Sequence, residues 1–361
     1  LMKMVRCWRG GRVIEIADGT GQGSKQMEAR LSVILPVRDA VRTLESAARS
    51  CLDQSFDAIE LLIVLNGSQD GSGELAEAMA RRDARVRVLA SAEQGGVTEA
   101  MRVGVEAAGC PVIARMDADD ISHPERFARQ WEALERDSSL GVVSCLVRLE
   151  NSLGEGMQRY VDWVNGLRSP EDVSRERFVE SPVIQPATML RRTILEAAGG
   201  YRQTDWAEDH DLWLRMLAKG VRIGKVEEEL FEWRDSAGRL TRNHEMYGET
   251  QVWRMKAHHL AREPAVRERG VAICGAGPIG KRLARLLLDD GVVLHGFFEV
   301  NPRRIGGRIA GVPVAGPQEF GRRWRDAVLL SAVGVAGGRN RVRTLARAAE
   351  YVEGRDFWCC C

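Results

Sequence analysis

Leu31-Ser32-Val33-Ile34-Leu35-Pro36-Val37-Arg38 sets a pattern that returns at Glu60-Leu61-Leu62-Ile63-Val64-Leu65-Asn66-Gly67-Ser68-Gln69-Asp70-Gly71-Ser72: an apolar run, turn residues, then a helical period. Short apolar runs bounded by turn formers read as strands buried on both faces. An amphipathic stretch reaching Gln54 separates the two. Arg85 to Leu89 and Val112 to Ala114 supply two more strand candidates, with a helical pattern from Thr98 to Ala108 between them. Strand and helix alternating in this way imply an α/β fold with a mainly parallel sheet covered by helices. Ligands of such sheets bind beyond the carboxyl ends of the strands. Pro36, Asn66 and Asp119 all follow strand ends, so they are expected along one edge.

After the fourth strand candidate stands Arg115-Met116-Asp117-Ala118-Asp119-Asp120, three carboxylates within four residues. They repel one another unless positive charge arrives. Hard divalent cations take oxygen ligands, and magnesium or manganese binds through one or two carboxylates while a substrate's phosphates fill other positions. The cluster therefore points to a metal-bridged nucleotide phosphate. The competing reading is an acidic turn ahead of a helix, since Ser122-His123-Pro124-Glu125 has the form of a capping box with proline in the first turn.

Further motifs follow in a fixed order. After the opening strand and the Asn66-Gly67-Ser68 loop come Gln94-Gly95-Gly96-Val97, Asp117-Ala118-Asp119 with Pro124-Glu125-Arg126, then Pro186-Ala187-Thr188-Met189-Leu190-Arg191-Arg192, Gly199-Gly200-Tyr201 and Ala207-Glu208-Asp209-His210-Asp211-Leu212-Trp213. Together they resemble glycosyltransferase family 2, over roughly Leu31 to His244. The resemblance implies a GT-A fold and inverting, metal-dependent transfer of a sugar from a nucleotide diphosphate to a hydroxyl of a glycan or lipid-linked acceptor. It makes Asp119 the direct ligand of Mn2+ or Mg2+, with Asp117 as second ligand or ribose contact. Pro36, Val37, Asp39, Asn66 and Gly95 would bind the donor. Arg126 would contact phosphate or form a structural salt bridge, and Asp120 would cap the following helix.

The family's general base sits in the Glu208-Asp209 pair and carries over to Asp209. A carboxylate at a helix start stays ionised and ready to take a proton. Glu208 pairs with Asp205 at the spacing of a cap, Asp211 is expected in solvent, and Trp213 reads as core before sugar platform. The stretch from Gly154 to Glu180, with Tyr160 and Trp163, is expected on the acceptor side. Three departures stand out. Leu65-Asn66 replaces a pair of aspartates, and asparagine offers both donor and acceptor groups to a base, with a UDP-sugar ahead of guanosine or thymidine donors. Gln185 replaces a histidine, and Trp233-Arg234-Asp235 lacks a nearby one. His244 reads as exposed before metal ligand.

The end of the chain tells a different story. Val271-Ala272-Ile273-Cys274 runs into Gly275-Ala276-Gly277-Pro278-Ile279-Gly280 and a helical stretch, with Glu299 nineteen residues after Gly280. That is the dinucleotide fingerprint in its strand-turn-helix setting, with Glu299 at the ribose position. Gly275, Gly277, Gly280 and Glu299 are thus candidates to bind NAD(P) or another nucleotide, against a packing module that keeps the glycines for helix-strand contact. The ninety or so residues suffice for one mononucleotide-binding half. The expected organisation is a disordered leader at 1–28, a GT-A domain at 29–244, a helical linker at 245–268 and a small Rossmann-like domain at 269–361.

Fifty-two basic and fifty-one acidic residues give no global field for nucleic acid or membranes. No apolar run nears the roughly twenty residues of a membrane span. Eight cysteines lack zinc or disulfide-framework spacing, which fits reducing cytosol and a cytoplasmic enzyme, or one peripheral at the inner membrane face. Cys359-Cys360-Cys361 reads as a frayed, oxidisable tail. Glycines at 10, 11, 19, 21 and 23 break any periodicity, so residues before Met27 read as a leader ahead of a start at Met27. Two rival functions stay open: an NAD-dependent oxidoreductase built on the glycine motif, and a sugar-nucleotide sensor without turnover.

Overall fold

The structure, a computed structural model, describes residues 4–9, 12–17, 28–92, 96–151, 154–235 and 244–361. It divides into two compact units. The first comprises residues 1–170, 183–203 and 219–239, the second residues 171–182, 204–218 and 240–361.

The first unit is built on ten strands: β1 Met4–Arg9, β2 Arg12–Ala17, β3 Leu31–Val37, β4 Ile59–Leu65, β5 Val86–Ala90, β6 Val112–Arg115, β7 Ile121–Ser122, β8 Leu140–Glu150, β9 Met189–Arg191 and β10 Arg222–Arg234. Their order is β2-β1-β5-β4-β3-β6-β9-β8-β10-β7. β5, β4, β3 and β6 run parallel, as the apolar runs require, while β9 is antiparallel to both β6 and β8. Helices α1 (Leu44–Leu52), α2 (Ser72–Arg82) and α3 (Gly96–Ala107) follow β3, β4 and β5, and α4 (Arg126–Arg136) follows β7. Leu31, Val33, Leu35, Leu61, Ile63, Ala47 and Phe127 form the centre of a continuous apolar core. α5 (Glu155–Asn165) lays Tyr160 and Trp163 against that core, with Tyr160 6.0 Å from Trp233 between ring centroids.

One expectation fails at the start of the chain. β1 and β2 pair as an antiparallel hairpin, and β1 joins β5 through Cys7 and Leu89. Arg12–Ala17 carries three β-branched residues, Val13, Ile14 and Ile16, Met4–Arg9 carries Val5 and Trp8, and the Gly10-Gly11 pair falls between them in sequence.

The second unit departs from the expected boundaries. α6 (Pro170–Glu176) and α8 (Glu208–Ala218) flank α7 (Arg192–Ala197) in sequence, yet α8 and nearly all of α6 belong with the C-terminal region. The reason is packing: Phe178 and Leu214 share an apolar cluster with Trp253, Met255, Leu260, Phe297 and Trp358. Arg177 binds Glu263 at 2.6 Å, both largely buried, and Phe178 meets Trp358 edge-on. The stretch expected as a linker is α9 (Glu249–Leu260) and α10 (Pro264–Arg269), and buried Lys256 of α9 donates from Nζ to the carbonyl of Val179 at 2.7 Å.

The second unit's sheet contains β11 Val271–Cys274, β12 Leu294–Phe298, β13 Arg308–Ile309, β14 Val312–Ala315, β15 Val328–Ser331 and β16 Phe357–Cys359, in the order β13-β14-β12-β11-β15-β16. Five of them are parallel, more than the single half expected. The chain fits them in because only two crossovers carry long helices, α11 (Pro278–Asp289) and α12 (Gly338–Ala348). The others are made with β13 and the short turn Pro317–Glu319. The terminal cysteines do not fray: Cys359 lies in β16, Cys360 donates its N–H to Ser331 at 2.9 Å, and both are buried. Among the described residues no helix is long and apolar enough to cross a membrane.

Candidate active site

In the first unit the carboxyl ends of β3 and β4 feed two interlocked loops. The N–H of Asn66 donates to the carbonyl of Val37 at 2.8 Å, and Ser68 Oγ reaches the same oxygen at 3.3 Å. Asp39, in a left-handed conformation with φ 49°, accepts the N–H of Gln69 at 2.8 Å. Asp70 accepts the N–H of Val41 at 2.9 Å and that of Ser72, the first residue of α2, at 3.1 Å. Desolvation pushes Asp70 up, but the hydrogen bonds from Ser72 and Val41 outweigh it and hold the carboxyl below its ordinary value. Val37 is therefore a corrected candidate: its side chain is buried and its carbonyl already accepts two hydrogen bonds. Pro36 and Asp39 remain accessible.

Asn66 is only 3% exposed. Its Nδ2 donates to the carbonyl of Gly96, and its Oδ1 has no hydrogen-bond partner among the described residues. A buried acceptor left without a donor costs about 1–3 kcal/mol. Gly95, the remaining donor-side candidate, lies outside the described residues.

At the end of β6, the carboxylates of Asp117, Asp119 and Asp120 each place an oxygen within 4.8 Å of the others. Arg115 grips Asp117 through Nε at 3.0 Å and Nη2 at 2.9 Å. Asp120 is fully buried and accepts the backbone N–H of Arg234 in β10 at 2.9 Å. Three converging carboxylates are the hard oxygen set that a divalent cation takes. Asp120 is thus no helix cap. Nor is Ser122, which lies in β7 and accepts from Arg126 Nη1 at 2.8 Å.

Arg126 corrects the phosphate expectation. The side chain is completely buried, and Nη2 donates to the carbonyls of Arg115 at 2.9 Å and Pro186 at 2.8 Å, while Nε reaches Gln130. A charged residue in an amphipathic helix reads as exposed. Only the fold reveals that its guanidinium ties β6 to the Gln185–Ala187 turn. Gln185 is buried there, with Nε2 unpartnered among the described residues.

Glu208 and Asp209 open α8, in the second unit. Glu208 is 2% exposed and accepts the hydroxyl of Tyr247 at 2.9 Å. Asp209 is half-buried, and its Oδ1 accepts the N–H of His210 at 2.7 Å. Asp211, expected in solvent, is buried. It accepts from Arg215 Nε at 2.7 Å and Trp206 Nε1 at 3.2 Å, and sits 2.9 Å from His259 Nε2. Burial pushes its carboxyl up, but His259 and Arg215 overcome that and hold it well below the usual carboxylate range. Trp213 is core, and His244 is exposed with Nδ1 accepting from Met246 N–H at 3.3 Å.

His210 is buried beside the carbonyl of Arg177, 2.8 Å from Nε2, and desolvation pushes it down to about 4. Its folded value thus lies below its unfolded one. Between these values the unfolded chain takes up a proton that the native chain refuses, so stability falls as pH drops from about 6.5 toward 4, by at most about 1.4 kcal/mol per pH unit. Asp211 adds a further loss below about pH 4. Denaturant unfolding across this range is expected to show the slope, and His210→Gln to flatten its upper part.

The glycine motif keeps its packing role. A Cβ on Gly280 would stand 1.9 Å from the carbonyl oxygen of Gly275, which itself has φ +96°, so α11 can approach β11 only without side chains there. Glu299 does not fit a ribose. Its Oε1 accepts the N–H groups of Val300 at 2.8 Å and Asn301 at 3.1 Å, and its Oε2 accepts Ala276 N–H at 3.2 Å and Arg304 Nη1 at 2.9 Å. All four acceptor positions of the carboxylate are filled. It staples the glycine loop to the end of β12 and leaves nothing for a nicotinamide dinucleotide's hydroxyls.

Residues 32–199 match the family model Glycosyl transferase family 2. The chain is 28% identical over 228 residues to the uncharacterized glycosyltransferase EpsJ of Bacillus subtilis, spanning 58% of this chain and 62% of that protein. It is 27% identical over 211 residues to the O-antigen biosynthesis glycosyltransferase WbnJ of Escherichia coli, spanning 56% of this chain and 79% of that protein. In fold it is similar to residues 1–349 of TarS from S. aureus, with a TM-score of 0.51 at 14% identity, over 72% of this chain and 71% of that one. The ordered motifs, the mainly parallel sheet and the acidic cluster at its carboxyl edge agree with these likenesses: over residues 32–199 the chain is similar to glycosyltransferases of family 2.

Proposed function

We propose that this protein transfers a sugar, with inversion, from a nucleotide-diphosphate donor to a hydroxyl of a glycan or lipid-linked acceptor. The observation that carries the reading is the convergence of Asp117, Asp119 and Asp120 at the end of β6. A divalent cation such as Mn2+ or Mg2+ held there supplies charge to offset what develops on the departing diphosphate. Arg115 and the Arg234 amide fix two of the three carboxylates, so the oxygen set is already oriented before donor arrives. Asn66 supports a base with a ring N–H, because such a donor would satisfy its buried Oδ1. Uracil, thymine and guanine each offer one, whereas adenine and cytosine do not; among these, a UDP-sugar is the donor we propose.

Asp209 is the group we assign as base. It is accessible where Glu208 is sealed under Tyr247, and a carboxylate can take the acceptor's proton as the new bond forms. Proton spectra of the first-formed product test the stereochemistry. An anomeric coupling opposite to the donor's is expected, and retention would remove the single-displacement role of Asp209. With Glu299 committed to four donors, no observation favours a nicotinamide enzyme.

A further inference from the structure

Residues 240–361 carry twenty Lys and Arg against twelve Asp and Glu, although the whole chain is balanced at 52 to 51. Part of that excess collects in one place. α12 bears Arg339, Arg341, Arg343 and Arg347 and no acidic residue. Arginines four apart on a helix repel one another. Arg343 is relieved by Glu353, which it grips through Nε at 2.9 Å and Nη2 at 2.8 Å, and by Glu176, 2.5 Å from Nη2. Among the described residues Arg347, one turn on and exposed, makes no ion pair.

These side chains border a cavity of about 310 Å³ lined by Arg175, Asn340, Arg343, Thr344 and Arg347, all within the second unit. No carboxylate lines it. Glu176 and Glu353 are almost fully buried, with 4% and 10% of their side chains exposed, and act as anchors that hold Arg343 still. Arg175 is tethered in the same way, through Nη2 to Asp172 at 2.6 Å. The lining is therefore three guanidinium groups, an amide and a hydroxyl, with two of the arginines fixed beforehand. The planar fork of Arg347 can match phosphate oxygens bidentately, while Arg175 and Arg343, whose Nε and Nη2 are taken by carboxylates, present Nη1; their prior fixation lowers the entropy lost on binding. The volume is at the lower end for small-ligand pockets and exceeds a single phosphate.

We propose that this cavity is a binding site for a diphosphate or other multiply charged phosphoryl group, separate from the acidic cluster of the first unit and independent of divalent metal. The ligand is a free phosphate compound or the phosphoryl headgroup of a lipid, two sources of the same chemistry.

The test is calorimetric titration of the full chain in EDTA with inorganic pyrophosphate, and in parallel with vesicles containing phosphatidic acid, at fixed ionic strength. Wild type and Asp119→Asn are expected to bind alike. Arg347→Ser, a substitution at an exposed position that leaves the fold intact, is expected to weaken binding about tenfold or more, the scale of one charge-assisted hydrogen bond. Asn340→Ala should weaken it less. Binding of pyrophosphate identifies a free phosphate as sufficient; binding of vesicles alone, lost in Arg347→Ser, identifies a lipid source. Absence of binding in both arms, or equal binding by wild type and Arg347→Ser, overturns the proposal.

Discussion

A chain ended after His244, at the boundary that the family motifs suggest, is expected to be aggregated or molten and without transferase activity. The truncation removes α9, α10 and the whole second sheet, and with them most of the apolar cluster that covers Phe178 and Leu214. Arg177 would lose Glu263 and the covering Trp358, so the ion pair and the apolar contact that tie residues 171–182 to the C-terminal region both disappear. Glu208 would lose the hydroxyl of Tyr247, and Asp211 would lose His259. Domain stabilities are only about 5–15 kcal/mol, so these losses exceed what residues 171–182 and 204–218 can withstand. Near-ultraviolet circular dichroism and size-exclusion chromatography of the truncated chain decide the point. A monomeric product with fixed aromatic signals would show that the two segments fold without the C-terminal region.

Replacement of Asp209 by Asn is expected to lower kcat by about 10²–10⁴-fold, the usual contribution of a positioned general base, with donor affinity unchanged. Asparagine keeps the shape and can still accept the N–H of His210, so α8 should start as before. The lost function is proton acceptance alone. Glu208→Gln behaves differently on the same reasoning: its carboxylate is sealed against Tyr247, so the variant loses stability before it loses chemistry. Paired measurement of kcat and thermal midpoint separates the two. Unchanged turnover in Asp209→Asn would remove that residue from the mechanism.

The parallel strands were legible because β3, β4 and β6 are buried on both faces and so read as continuous apolar runs. The acidic cluster was legible because three carboxylates in four residues need a reason. What the sequence could not disclose was partnership. Arg126 and Asp211 look like solvated faces of amphipathic helices until the carbonyls of Arg115 and Pro186, or His259 and Arg215, close around them. α8 has a helical period that does not say which sheet receives it. Glu299 occupies the fingerprint position, yet its four donors come from the loop itself and from Arg304, contacts that no spacing rule contains. The hairpin of β1 and β2 depends on an edge, β5, some eighty residues away.

The central claim is that Asp119 seats a divalent cation for a nucleotide-sugar donor. The most direct test is thermal unfolding of wild type and Asp119→Asn with UDP, GDP and TDP, each with and without Mn2+. A nucleotide at about a hundred times its dissociation constant adds roughly 2.7 kcal/mol to the native state, enough to move Tm by a few degrees. The account predicts a shift that needs Mn2+, appears with UDP before the others, and vanishes in Asp119→Asn. A shift of equal size in wild type and Asp119→Asn, or one indifferent to the metal, would contradict it.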